Sequence, residues 1–286
     1  MLRLHPRTFV IQDCKLAELA HSSTFPDQGL PTTGGSEPTF RLLHRDEVLV
    51  AVAKPNRLLV HRTDIDFHER WNLRDLVNAA CDDAIRQPLH RLDKPTSGIV
   101  LFATAGEAFN RLKLEFVHRR TTKVYWAIVR GWTEDEGVVD KPLPTAHNPA
   151  PKEARTRYRT LARVELPHPV GPYETARYSL VECRPETGRF HQIRLHFRHL
   201  RHPIVGDSRY GDKAHNRFVA STYGVDTLLL HAGRLDIHHP HDERMLSLQC
   251  AVPDAWLSLL ADWPWEGTRQ GVPRVDRVEA FPTVNG

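Results

Sequence analysis

The chain has 286 residues, 40% hydrophobic and 26% charged, which fits one large or two small globular domains rather than a membrane or disordered protein. Its 39 Lys and Arg against 35 Asp and Glu leave a net charge of only +4, so charge alone does not establish a nucleic-acid partner, although arginine supplies most of the positive side. No apolar run approaches the roughly 18 residues needed to span a bilayer, and the four scattered cysteines form no C-x-x-C pair, so the expectation is a reduced, cytoplasmic chain without a membrane partner.

The start, MLRLHPRTFVIQDC, has no apolar secretory core. Residues 1–38 end in the turn-rich PDQGLPTTGGSEP and read as a poorly patterned extension. His44-Arg45-Asp46 reads as a charged loop, since no Gly-rich phosphate loop or DFG segment accompanies it. EVLVAVAKP is a short β-branched run stopped by Pro55, hence a buried strand. IVLFA at 99–103 and YWAIV at 125–129 are two more, and between them Phe109, Leu112 and Phe116 mark a helix over 107–117. TRYRTLARVEL sets Tyr158, Thr160, Ala162 and Val164 against Arg157, Arg159 and Arg163, one apolar face and one basic. RYSLVEC continues as strand, and 191–200 turns helical with Ile193, Phe197 and Leu200 on one side and Arg194, Arg198 and Arg201 on another. Strands at 228–231 and 246–251 precede a helix opened by Pro253-Asp254, and the chain after Trp265 reads as loop. Many strands without a βαβ rhythm imply an α+β fold, a largely antiparallel mixed sheet with flanking helices.

The sharpest local signal is His90-Arg91-Leu92-Asp93-Lys94-Pro95-Thr96-Ser97-Gly98, directly before a buried strand. A carboxylate in such a loop suits catalysis, but composition alone favours a turn in which Asp93 binds backbone amides. The eighteen histidines, notably His238-His239-Pro240-His241, lack a companion Cys or acidic set with metal spacing, so a solvated, proline-broken turn is expected rather than a metal site. The basic strip of Arg155, Arg157, Arg159 and Arg163 is a solvent-facing strand surface or a phosphate contact, and Arg198 and Arg201 stand open to the same two readings.

HRLDKPTSG resembles the signature loop of the RluA-type pseudouridine synthases. KPNRLLVHR, KVYWAIVRG, TGRFHQIRLH, HPIVGDSRYGD and LLLHA resemble further elements of that family, in family order, over about residues 40–252. The resemblance implies a pseudouridine synthase domain over 39–268, a tail at 269–286, no S4 module and no cofactor. It implies that Asp93 is the catalytic carboxylate, that Tyr125 packs against the target uracil and that Arg194 pairs with Asp93. It gives Arg91 the space left by the flipped base and Leu230 a place in the pocket wall. With RNA as the substrate, Arg155, Arg157, Arg159, Arg198 and Arg201 become phosphate-binding candidates. KPNRLLVHR, VRGW and RHPIVGDSRYGDKAHNR resemble the members that modify an acceptor-stem uridine of tRNA, position 65, although Tyr210 stands where that group has histidine. The alternatives are a ribosomal-RNA enzyme of the same fold, a noncatalytic RNA-binding protein, and a hydrolase using Asp93. A monomer is expected.

Overall fold

The structure, a computed structural model, describes residues 37–62, 68–81, 86–145, 148–269, 271–272 and 277–281. The extension at the start lies almost wholly outside them. In chain order the elements are β1 (Arg41–Arg45), β2 (Leu49–Lys54), α1 (Leu73–Ala80), β3 (Arg86–Pro88), β4 (Ser97–Thr104), α2 (Glu107–Val117), β5 (Thr122–Arg130), β6 (Glu136–Asp140), β7 (Leu143–Thr145) and β8 (Asn148–Lys152). They continue with β9 (Arg155–Leu166), β10 (Ala176–Pro185), α3 (Gln192–His199), α4 (Lys213–Tyr223), β11 (Leu230–His238), β12 (Met245–Gln249), α5 (Asp254–Asp262), β13 (Glu266–Gly267) and β14 (Arg277–Phe281).

One large sheet runs β1-β2-β4-β11-β5-β10-β9-β13, with β3, β6 and β12 branching from it and β14 on β12. Its strand pairs are antiparallel except β4 with β11, where Ser97 faces His231 and Gly98 faces Ala232. This is the expected α+β class. The parallel junction explains the glycine that ends the signature loop: Gly98 has φ +115°, and a Cβ there would lie 2.2 Å from the Ala232 carbonyl oxygen. Ser97 Oγ meets His231 Nδ1 at 2.9 Å, and His231 Nε2 donates to the Cys250 carbonyl at 3.1 Å, so the junction is also tied through side chains.

Apolar side chains pack separately under the two halves of the sheet. Val50, Val52, Val100 and Phe102 meet Leu73, Leu76 and Val77 of α1 on one side. On the other, Trp126, Ile128, Leu180 and Val181 belong with Phe197 of α3 and Trp256 and Leu259 of α5. Tyr125 touches both cores, which places it at the seam.

Three local expectations are corrected. His44 and Arg45 end β1 rather than forming a loop, and Asp46 turns the chain by accepting from the Val48 and Leu49 amides at 3.0 and 2.8 Å. The His238–His241 stretch is not a solvated turn throughout: His239 is buried, with Nε2 3.2 Å from Asp46 and Nδ1 3.1 Å from Asp242. Among the described residues no group of three His, Cys, Asp or Glu is placed to hold a metal. The segment after Trp265 carries β13, paired with β9, and β14, paired with β12. Both are short additions at a sheet edge, where an unpaired partner strand supplies the order that local periodicity does not.

Candidate active site

Asp93 sits in the loop between β3 and β4, and the residues around it explain how that loop is held. The Thr96 amide donates to the Asp93 carbonyl at 3.0 Å, closing a turn. From the end of β2, the buried Lys54 donates to the carbonyls of Pro55, Leu58 and Lys94 at 2.8, 2.8 and 3.1 Å. Asn56 Nδ2 donates to the Pro95 carbonyl at 2.6 Å. The KPN segment is therefore a latch on the Asp93 loop. Burial pushes the Lys54 ammonium down to about 7, against the opposing pull of the Asp93 carboxylate. His90 is part of the scaffold: it accepts from the Leu101 amide at 3.1 Å and stacks on Phe116. Burial, and then the Lys123 charge, push its imidazole down to about 3, so it is neutral.

Above this loop, α3 brings Arg194 to the carboxylate. Arg194 Nη1 donates to Asp93 Oδ2 at 3.1 Å, while Nε and Nη2 donate to Asp207 at 2.7 and 2.9 Å. The guanidinium thus bridges two carboxylates, 4% exposed itself, with Asp207 at 1% and Asp93 at 18%. Asp93 is the partner left facing the cleft. Asp207 also accepts from the Arg209 and Tyr210 amides, both at 3.0 Å. Burial alone would push its carboxyl up; the Arg194 hydrogen bonds and charge, with these amides, overcome that and hold it low. Asn216 of α4 completes the brace, donating to the Asp207 carbonyl at 3.0 Å and accepting from the Gly206 amide at 2.8 Å. The GD…GD…N spacing is the covalent form of this brace.

The cleft beside Asp93 has a volume of about 600 Å³. Its walls include Arg91, Leu92, Tyr125 and Leu230 on one side and the 185–194 segment on the other. Tyr125 is partly buried; burial, then the Asp93 charge, push its phenol up, so it remains protonated. Leu230 is buried at the start of β11, and Arg91 is exposed on the wall. The structure therefore brings Asp93, Tyr125, Arg194, Arg91 and Leu230 into one cleft.

The remaining arginines lie elsewhere. On β9, Arg155 and Arg157 pair with Glu186, Arg159 lies 3.7 Å from Glu182, and Arg163 binds Asp135 and the Thr133 carbonyl. Arg198 is exposed with its guanidinium 5.7 Å from the Tyr210 ring centre, and Arg201 is exposed at φ +64° just past α3. Sequence reasoning missed Asp207, His191 and the latch role of Lys54 and Asn56. The first two stand inside motifs that had been quoted, and the signal available was the aspartate after a glycine and the histidine before Gln192.

Comparison with known proteins follows the same residues. The family model described as RNA pseudouridylate synthase matches residues 48–199. The tRNA pseudouridine synthase C of Pasteurella multocida is 42% identical over 241 residues, covering 80% of this chain and 98% of that protein. The protein of the same name from Salmonella typhi is 41% identical over 251 residues, covering 83% and 94%. Among solved structures, Human RNA Pseudouridylate Synthase Domain Containing 1 matches with a TM-score of 0.63 at 23% identity over 83% of this chain and 93% of that one, a likeness of fold. Human RNA Pseudouridylate Synthase Domain Containing 4 gives 0.63 at 25% identity, over 79% and 94%.

Proposed function

The chain belongs to the RNA pseudouridylate synthase family, and from that premise we propose that it isomerises a uridine of transfer RNA, at position 65, with Asp93 as the catalytic residue. The reaction breaks the C1′–N1 bond, forms a C1′–C5 bond, and moves a proton from C5 to N1. Nothing is oxidised or transferred to another molecule, so the proposal includes no cofactor. The observation that carries it is the carboxylate of Asp93 at the base of the cleft, held at 3.1 Å by a guanidinium that Asp207 clamps from behind. Such a charge-assisted contact fixes the direction of the carboxylate before substrate arrives.

The target must leave its stack, which costs a few kcal/mol. Tyr125 and Leu230 would give the extruded uracil an apolar wall, and Arg91, exposed on the cleft wall, would occupy the vacated space. Arg198 and Arg201 present exposed guanidinium groups to phosphate. Arg155, Arg157 and Arg159 would do so by sharing themselves with Glu186 and Glu182. The relatives named for tRNA support that substrate over a ribosomal one. The four scattered cysteines, with no C-x-x-C pair among them, fit a reducing compartment, the cytoplasm, and the enzyme is proposed to act as a monomer.

The test is direct. Purified, chelator-stripped protein is incubated with prefolded tRNA and ribosomal-RNA transcripts, and pseudouridine is mapped by carbodiimide chemistry. Conversion in tRNA at one position, with RNA mass unchanged, is expected. Conversion only in ribosomal RNA would replace the substrate. A change in RNA mass, or a need for a metal or nucleotide beyond RNA folding, would overturn the chemistry.

A further inference from the structure

His191 is the residue of the cleft whose conformation the reading so far does not use. It is a non-glycine residue at φ +54°, immediately before α3. Left-handed backbone costs a side-chain-bearing residue about 1 kcal/mol or more, and it persists where the surroundings over-determine it. Here they do. Gln192 Oε1 accepts from the Arg189 amide and Thr187 Oγ1 at 3.0 and 2.6 Å, and its Nε2 donates to the Arg155 carbonyl and Thr156 Oγ1, both at 2.9 Å. The turn is clamped from both sides, and the ring it carries is directed into the cleft.

The ring is held at two points and faces a carboxylate at a third. Phe190 stacks on it with centroids 3.6 Å apart, and Nδ1 lies 2.9 Å from the Tyr210 hydroxyl. Nε2 lies 3.8 Å from Asp93 Oδ2. A carboxylate at that range favours the tautomer with hydrogen on Nε2, which leaves Nδ1 to accept from Tyr210. Burial pushes the imidazole down to about 4; Asp93 and Asp207 pull upward, and Arg194 and Arg209 reinforce the burial. The ring is therefore neutral at physiological pH. The distance of 3.8 Å is too long for a hydrogen bond to Asp93, so the Nε2–H remains available beside the carboxylate.

We propose that His191 is a specificity-determining residue that donates its Nε2–H to a carbonyl oxygen of the target uracil. The inference rests on the function proposed above. A neutral, directional donor suits a carbonyl oxygen, whereas a phosphate is better matched by a guanidinium. Uracil presents two carbonyls; cytosine replaces one of them with an amino group, which would set donor against donor.

The test uses tRNA transcripts assembled by ligation, with uridine, 2-thiouridine or 4-thiouridine at the modified position, because sulfur is a poor acceptor. Wild-type protein is expected to lose about tenfold in kcat/KM on one thio substrate. His191→Asn tolerates the left-handed backbone but falls short of the substrate. It is expected to lose a similar factor on ordinary uridine and to show no further thio penalty. Tyr210→Phe, which frees the tautomer, should shrink the penalty without abolishing turnover, and serves if His191→Asn does not fold. Equal wild-type rates on all three transcripts, or a thio penalty undiminished in both variants, would overturn the role of His191. Wild-type inactivity on ordinary uridine would overturn the proposed function instead.

Discussion

Arg194 and the arginines of β9 share a side chain and differ in everything around it. Arg194 is buried, with one carboxylate behind it and one in front, and its planar fork is filled by both. Arg157 and Arg159 are exposed and pair with Glu186 and Glu182 on the neighbouring chain segment. Exposed pairs contribute about 0 to 1 kcal/mol and are screened by salt, whereas a buried pair loses about 3–5 kcal/mol when one partner is removed. An arginine count thus says little about function. The number of carboxylates a guanidinium organises, and whether one of them is left facing a cleft, says far more.

The largest effect should come from the group Arg194 organises. Asp93→Asn keeps the shape and removes the charge, so pseudouridine formation should fall below detection while thermal stability stays near the wild-type value. RNA binding should persist, because phosphate contacts supply most of it. Measurable turnover by this variant would break the contrast at its root.

Next in size is Arg194→Lys, which keeps one charge but cannot fork between Asp93 and Asp207. Its rate should drop on the order of 100-fold, the scale of a lost electrostatic contact. Asp207→Asn tests the other end of the bridge. It should lower stability at neutral pH by about 3 kcal/mol. The native Asp207 carboxyl is held below its ordinary value. Its stabilising contribution is therefore complete above the unfolded value of about 4 and is lost as pH falls through the lower native one. The gap between wild type and Asp207→Asn, measured by urea unfolding, should accordingly narrow below pH of about 4. A gap that grows on acidification would mean that Asp207 does not carry the bridge.

Asp207 also shows where the sequence stopped being legible. The long apolar strands β2, β4 and β5 and the helix α2 were readable because one period dominates each. Asp93 was readable through its loop, and Arg194 through the motif that carries it. The pairing of Arg194 with Asp207 depends on how α3 meets the Gly206–Gly211 turn, a tertiary fact with no local pattern. The same holds for β6, whose EGVVD is too short and polar to announce a strand until β9 lies beside it. His239 failed for the opposite reason: His238-His239-Pro240-His241 looks solvated, and burial beside Asp46 comes from a residue far away in the chain.

Arg91 separates the two functions assigned to arginine within one cleft. If it fills the space left by the flipped uridine, Arg91→Ala should lose about tenfold more activity on a stem target than on a short unpaired oligonucleotide containing the same uridine. Arg194→Lys should lose the same factor on both, since its work lies with Asp93. Equal ratios for the two variants, measured as kcat/KM on both substrates, would reassign Arg91.

The smallest effect belongs to the surface, and it tests the comparison most finely. Each phosphate neutralised by a cation contributes about 0.9 to the slope of log affinity against log salt on a duplex. Arg198→Ala and Arg201→Ala remove exposed guanidinium groups on and just past α3 and should each reduce that slope by about one. Arg157→Ala and Arg159→Ala remove charges already paired with Glu186 and Glu182. Any phosphate they bind must compete with those carboxylates, so their slopes should change by less. The experiment is a binding titration of tRNA to the Asp93→Asn background, which holds chemistry silent, across a salt series. A β9 variant that lowers the slope as much as Arg198→Ala would show that the RNA track runs over β9 and that its acidic partners give way. Unchanged slopes for Arg198→Ala and Arg201→Ala would move the track off α3.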